Sequence, residues 1–372
     1  MRSLGARIGL VAVLLLVGAL GPASLTAAQP TAARAAVALG GNAADPALVA
    51  AQAPIRLRLS GQRLAVETPV WLGEERGYFQ QEGIEIDHVT FGSASEMIPA
   101  LATGQLDVAP MPANPAMWNA VARGVQAKIM LDEGTYRPGQ SEQALVVRKA
   151  VYDAGRGHTL DDLRSLSLAI TPPGKATTTA CALSVGLRQV GLTLDDVDIQ
   201  PITFPDMVGA LANGGVDAAM MVEPFLSRAV QQGSAVRVMG LGDIYPNFTI
   251  ATLGFADSLY GNRPAAKGFV RAYLRAVRDY LAAEATPPGD AARVEINEVI
   301  SRGTGIDAAT VAMMTPPYFN PNGEPNHDSM TYCYQFFRDQ GLIPQPIPEA
   351  TFQTLFGTDL LNEVLDEIGR VE

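Results

Sequence analysis

The sixteen residues EMIPALATGQLDVAPM (Glu96–Met111) align without a gap on DMVGALANGGVDAAMM (Asp206–Met221), and eight of the sixteen positions are identical. Each copy reads in the same order. An apolar stretch at helical spacing stops at a glycine, Gly104 or Gly214, the residue that most easily takes the left-handed conformation ending a helix. A tight turn and a short apolar strand follow. Each strand then runs into a proline-containing turn, Pro112–Pro115 in one copy and Glu223–Pro224 in the other. Two copies of one helix–turn–strand unit predict two similar α/β lobes. Open α/β sheets bind ligands outside the carboxyl ends of their strands, so two such lobes facing across a hinge form a closing cleft.

The flanking sequence extends this reading. Ile55, Leu57 and Leu59 alternate with Arg56 and Arg58, the period of a strand. Thr68-Pro69 opens a helix, with Thr as cap and Pro at the first helical position, and the helix stops at Gly77. Ile84, Ile86 and Val89 read as a second strand and Leu106–Met111 as a third. Strands alternating with helices of about ten residues predict mostly parallel sheets covered on both faces. Ala144–Val147 reads as a strand leaving the first lobe, Leu166–Thr171 opens the second set, and Thr249–Phe255 returns. Phe269, Tyr273, Leu274, Val277 and Leu281 fall at helical spacing. This C-terminal third is expected to pack back on the first lobe. The predicted division is a signal peptide over 1–28, a flexible linker over 29–54, lobe 1 over 55–147, lobe 2 over 148–250, and a return to lobe 1 with C-terminal helices over 251–372.

Composition bounds the function. The chain of 372 residues is long enough for two domains. Its formal net charge of −11 argues against nucleic acid and anionic membrane surfaces as partners. A small pocket sets its own field, so an anionic ligand stays open. Arg2 and Arg7, an apolar run from Ile8 to Leu20, and small residues around Ala23, Ala27 and Ala28 stand in the order of a secretory signal peptide. The run is shorter than the roughly 20 residues that span a bilayer. No Cys follows near the cleavage region, which predicts a soluble periplasmic or secreted protein without a lipid anchor. Cys181 and Cys333 lie far apart and read as unpaired core thiols, although export permits a disulfide. They and the scattered His88, His158 and His327 have no zinc spacing, so neither a metal nor a cofactor is expected.

The run PVWLGEERGYFQQEGIEI (Pro69–Ile86) resembles the opening of the ABC-transporter substrate-binding proteins for sulfonates, nitrate, taurine and thiamine-pyrimidine precursors. The shared features are Gly77-Tyr78-Phe79, Glu82-Gly83, Gly92-Ser93 with Leu101, Gly104 and Asp107, and the small-residue helix start Pro172–Thr179. The resemblance covers roughly Ile55 to Phe255. It implies a type II periplasmic binding fold, with two lobes of mostly parallel sheet, a two-strand hinge and a helical C-terminal segment. It also implies a monomer that takes a small-molecule ligand to ABC importer permease subunits and meets the membrane only through them. One branch of the group is an enzyme that makes a thiamine pyrimidine and depends on His and clustered Cys. That arrangement is missing from the loops of this sequence, so no enzyme is expected. A thiamine-pyrimidine-synthase-like enzyme and a ligand-sensing receptor subunit are the alternatives.

Candidate ligand contacts sit where strands run into helices. They are Ser60, Gln62 and Arg63 after the first strand, Trp71 on the helix beyond, Gly92, Ser93 and Ser95 after the second strand, and Ala113 and Asn114 after the third. In the second lobe they are Lys175, Ala176, Thr177, Thr178, Phe204 and Glu223. Helix N-termini favour anionic groups. Lys175 could neutralise a carboxylate or sulfonate, and Glu223 could take an amine or a ring N–H. Trp71 and Phe204 could stack on a flat ligand. Ser93, Ser95, Thr177 and Thr178 can equally act as helix caps. Together these predict a small organic anion or flat heterocycle of the sulfonate, taurine, nitrate, pyrimidine-precursor or flavin class.

Overall fold

The structure, a computed structural model, describes residues 53–91 and 94–372. The expected signal peptide, nearly all of the expected linker, and Gly92 and Ser93 lie outside the described residues. Twelve strands are present among the described residues: β1 (Ile55–Gly61), β2 (Ile84–Thr90), β3 (Val108–Pro110), β4 (Ala127–Asp132), β5 (Thr135–Tyr136), β6 (Gln143–Arg148), β7 (Ser167–Ile170), β8 (Asp198–Pro201), β9 (Ala218–Val222), β10 (Ala235–Gly240), β11 (Phe248–Thr249) and β12 (Thr252–Ala256). They form two five-stranded sheets, ordered β2-β1-β3-β12-β4 and β8-β7-β9-β6-β10, and a two-stranded ribbon of β5 and β11.

The sequence repeat is an architectural one. Its two copies end in β3 and β9, the central strands of the two sheets. Each has a parallel neighbour from its own lobe (β1 or β7) and an antiparallel neighbour from a crossing segment (β12 or β6). The repeated glycines take φ of 68° at Gly104 and 80° at Gly214, which lets the chain leave each helix without strain. The repeated aspartates do the same work twice. Asp107 accepts the backbone N–H of Arg58 (2.8 Å) and pairs with its guanidinium, while Asp217 accepts the backbone N–H of Ser167 (3.3 Å) and pairs with Arg148. Each ties its strand to a neighbour.

Three expectations change in detail. Half of the strand pairings in each sheet are antiparallel, because a strand that arrives from the other lobe enters in the opposite sense. Ala144–Val147 belongs to β6 inside the second sheet, so the chain crosses over Glu133–Glu142, before that strand. Thr68 is the first residue of its helix, and Glu67 holds the cap position after a short 3₁₀ turn, Ala65–Glu67.

The helix Arg263–Glu284 buries Phe269, Tyr273, Val277 and Tyr280 in one core with Leu57, Leu59 and Phe255 of the first sheet, as its spacing predicts. The helix His327–Asp339 goes elsewhere. It packs on the helix Thr178–Gln189 of lobe 2 and is joined to it by a disulfide between Cys181 and Cys333. It also reaches lobe 1, where Tyr334 lies 5.3 Å from Trp118 between ring centroids. The two cysteines are therefore a cross-link, contrary to the reading as separate thiols. Their separation of 152 residues hides in sequence what packing brings together. Among the described residues, no helix is long and apolar enough to cross a membrane.

Candidate functional site

The two crossings between the sheets are Glu133–Glu142 and the segment from Leu241 to Ala251, clasped by the β5–β11 ribbon. The strand ends of both lobes open beside this ribbon, and carboxylates occupy them. After β1 the chain turns through Arg63, at φ 59°, into the 3₁₀ turn that ends at Glu67. The buried Glu67 carboxylate accepts the backbone N–H groups of Gln62 (2.6 Å) and Leu64 (3.2 Å). Burial pushes its pKa up, and those backbone donors and His88 oppose the shift. On lobe 2, the buried Glu223 follows β9. Its Oε2 accepts Ser227 N–H (3.0 Å) at the start of the helix Phe225–Gln231, and its Oε1 accepts Thr315 N–H (3.2 Å) from the C-terminal region. Arg237 also donates to Thr315 Oγ1 (3.3 Å), so lobe 2 and the C-terminal region are in contact here.

The end of β4 and the first crossing supply three more acids. Asp132 accepts hydrogen bonds from Asn320 N–H (2.8 Å), Thr135 Oγ1 (2.9 Å) and Gly134 N–H (3.3 Å), yet burial still lifts it to about 6. Glu133 and Glu142 are each only 3% exposed, and Oε2 of each has no hydrogen-bond partner. Burial raises Glu133 far above the carboxylate range, and the charges of Glu67, Asp132 and Glu142 push the same way. Burial and the charge of Glu223 lift Glu142 to about 8, against the Tyr136 hydroxyl. Their mutual influence places Glu67, Glu133, Glu142 and Glu223 in one electrostatic neighbourhood drawn from lobe 1, hinge and lobe 2.

This two-lobed architecture coincides with a match in sequence: a profile of the NMT1-like family covers residues 50–294. The chain belongs to the NMT1-like family. Among solved structures, it is similar to the periplasmic nitrate-binding protein NrtA from Synechocystis PCC 6803, at 13% identity and a TM-score of 0.68 over 85% of this chain and 89% of that one. It is similar too to the periplasmic aliphatic sulphonate binding protein SsuA from Escherichia coli, at 19% identity and a TM-score of 0.63 over 83% and 99%. The alkanesulfonate-binding protein SsuA from Xanthomonas axonopodis pv. citri, bound to MOPS, aligns at 19% identity and a TM-score of 0.58 over 80% and 95%. The fold is thus that of the periplasmic binding proteins, as the sequence resemblance implies. No curated protein matches the chain.

In this NMT1-like chain, the sequence-predicted residues fall into three groups. Ser60 is the penultimate residue of β1, is 1% exposed, and its Oγ has no partner. Gln62 gives its backbone N–H to Glu67, Glu223 is buried, and Ala113 and Thr178 are buried at the heads of their segments. A second group closes helix ends. Asn114 accepts Met117 N–H (3.0 Å), and Thr177 accepts Ala180 N–H (3.2 Å) while donating to Gly174 O (2.9 Å).

The third group is engaged elsewhere. Arg63 donates to Gly303 O (2.8 Å), and the half-buried Trp71 ring fills the space where Gly303 has no Cβ. Phe204 stacks on Phe225 at 6.3 Å in the satellite core of lobe 2. Ala176 is half-buried, and the Ser95 side chain lies outside the described residues. Lys175 pairs with Asp195 at 2.6 Å on the surface. Lys175→Ala is therefore expected to change solute affinity less than about fivefold in a calorimetric titration, the scale of an exposed ion pair. A tenfold or larger loss would return Lys175 to the site.

Sequence reasoning missed Glu67, Asp132, Glu133 and Glu142. A trace of them was present: Asp132-Glu133 ends the apolar run Ile129–Leu131, and Glu142 precedes the apolar run Ala144–Val147. Two cavities accompany these features. One of about 160 Å³ lies between lobe 2 and the C-terminal helices, lined by Pro224, Phe225, Arg228, Ile306, Asp307 and Thr310 among others. Another of about 380 Å³ is lined by Met130, Glu324, His327, Asp328 and neighbours, and neither lining includes Glu67, Glu133, Glu142 or Glu223.

Proposed function

We propose that the chain is the extracytoplasmic solute-binding component of an ABC importer, a monomer that closes two lobes on one small molecule and presents it to permease subunits. The observation that carries this reading is the pair of matched sheets whose central strands both end beside a two-strand hinge lined by buried polar groups. A hinge of two short crossings permits closure about a few backbone torsions. The chemistry of the cleft favours binding over turnover. The residues described there offer carboxylates, hydroxyls and backbone amides, without a nucleophile held by a base.

Native mass spectrometry of the secreted protein checks this reading. One small molecule per chain is expected, released unchanged on mild denaturation. X-ray scattering should show the emptied protein contract when that molecule is restored. A bound species that is chemically converted on incubation would overturn the binding role in favour of an enzyme.

A further inference from the structure

The cleft is lined by acids, where capture of an anion needs donors and positive charge. A helix N-terminus attracts an anion through its free N–H groups. Here the chain's own side chains take such donors: Glu223 accepts Ser227 N–H, Asn114 and Thr177 are neutral caps, and Glu67 accepts the loop N–H groups of Gln62 and Leu64. Beyond them stand Glu133 and Glu142, each more than nine-tenths buried and each with an oxygen that no donor reaches. Ser60 Oγ is a further buried polar atom without a partner. The positive groups near this set act at its edges, Arg237 towards Glu223 and His88 towards Glu67. The neighbours acting on Glu133 and Glu142 are Glu67, Asp132, Glu223 and the Tyr136 hydroxyl, with no cation among them.

We propose that the cleft takes a small organic cation carrying N–H donors, such as a protonated amine or a guanidinium or amidinium group, with Glu133 and Glu142 as its counter-ions. This rests on the solute-binding reading above and names the class of solute. A metal ion fits less well, because among the described residues no three His, Cys, Asp or Glu side chains converge closely enough to hold one. An organic cation spreads its donors over several ångströms and can meet carboxylates from lobe and hinge together.

The same carboxyls couple binding to closure. Burial holds Glu133 and Glu142 protonated in the empty cleft, where each keeps an oxygen that no donor reaches, and a buried acceptor without a donor is penalised. Shutting the empty cleft over them is therefore unfavourable. A bound cation supplies the donors and lets both carboxyls ionise, so the lobes close on the correct charge.

Calorimetry and thermal unfolding of the full secreted chain, emptied of solute, test the proposal. Putrescine, agmatine and benzamidine serve as cations, with benzamide as a neutral counterpart and methanesulfonate and nitrate as anions. At least one cation is expected to bind, benzamide and the anions are not, and Glu133→Gln and Glu142→Gln are each expected to weaken that cation about 30-fold or more. Both glutamine variants keep the side-chain volume, and far-UV circular dichroism and melting without ligand show whether they fold.

A cation that binds both variants as tightly as the parent chain overturns the assignment of the counter-ions. Binding of nitrate or methanesulfonate but of no cation overturns the class and leaves the solute-binding role standing. If neither sign of charge binds and native mass spectra show no co-purified molecule, the class and the solute-binding role fail together.

Discussion

Replacing Cys181 and Cys333 together by alanine is expected to lower the unfolding free energy by about 2–5 kcal/mol and the melting temperature by roughly 5–10 °C. The cross-link joins residues 152 positions apart. Closing so long a loop removes much of the freedom of the unfolded chain, which puts the effect near the upper end of that range. Both sulfurs are fully buried, so the variant also loses packing where the helices Thr178–Gln189 and His327–Asp339 meet.

The loss should spread to the hinge. Asn326 N–H donates to Thr249 Oγ1 (2.8 Å), and Thr249 N–H donates to Ser329 Oγ (3.3 Å), so the start of the cross-linked helix is pinned to β11. Urea unfolding of parent and variant at one pH gives the free energy, and amide exchange at Phe248 and Thr249 reports on the hinge. A thiol titration under denaturing conditions should find no free thiol in the parent. Two free thiols in the parent, or unchanged midpoints in the variant, would remove the cross-link from the account of stability.

The repeat and the glycine stops made the lobes legible in sequence because they obey local rules. Gly104 and Gly214 are the stops, and Asp107 and Asp217 repeat because each ties a central strand to its neighbour. What stayed hidden depends on contacts made across the chain. Cys181 and Cys333 carry no local mark of pairing. β6 has the pattern of any buried strand, and only its partners β9 and β10 place it in the second sheet. The expectation of an anion followed from helix N-termini counted as free. Glu223 fills one by accepting Ser227 N–H at the start of its helix, a side-chain geometry that spacing does not specify. Glu133 and Glu142 are ordinary surface residue types in sequence. Burial alone makes them informative.

That burial leads to a second large effect: without ligand, the protein is expected to lose about 3 kcal/mol or more of stability between pH 5 and pH 8. In the unfolded chain these carboxyls release their protons near pH 4 to 4.5. In the folded chain Asp132 holds its proton to about 6 and Glu142 to about 8, and Glu133 is raised well above its usual value. Across that window the folded state binds more protons than the unfolded one, so raising the pH favours unfolding, by about 1.4 kcal/mol per pH unit for each group still protonated in the fold. The contribution is complete below the unfolded pKa and is gone once pH passes the folded one.

Most opposing groups act outside this range. Asp162, Asp196, Asp217 and Asp307 are depressed, so they add stability above pH 4 and are already ionised in both states at pH 5. His88 is raised by Glu74 and adds to the loss, while His327, lowered by burial, opposes it weakly near pH 6. Urea unfolding at pH 5, 6, 7 and 8 measures the slope. Glu142→Gln is expected to flatten it, because glutamine has no proton to lose. Stability that stays level or rises from pH 5 to pH 8 would show that these carboxyls are not held protonated. It would also mean that the hinge carries its negative charge with a partner the structure does not show.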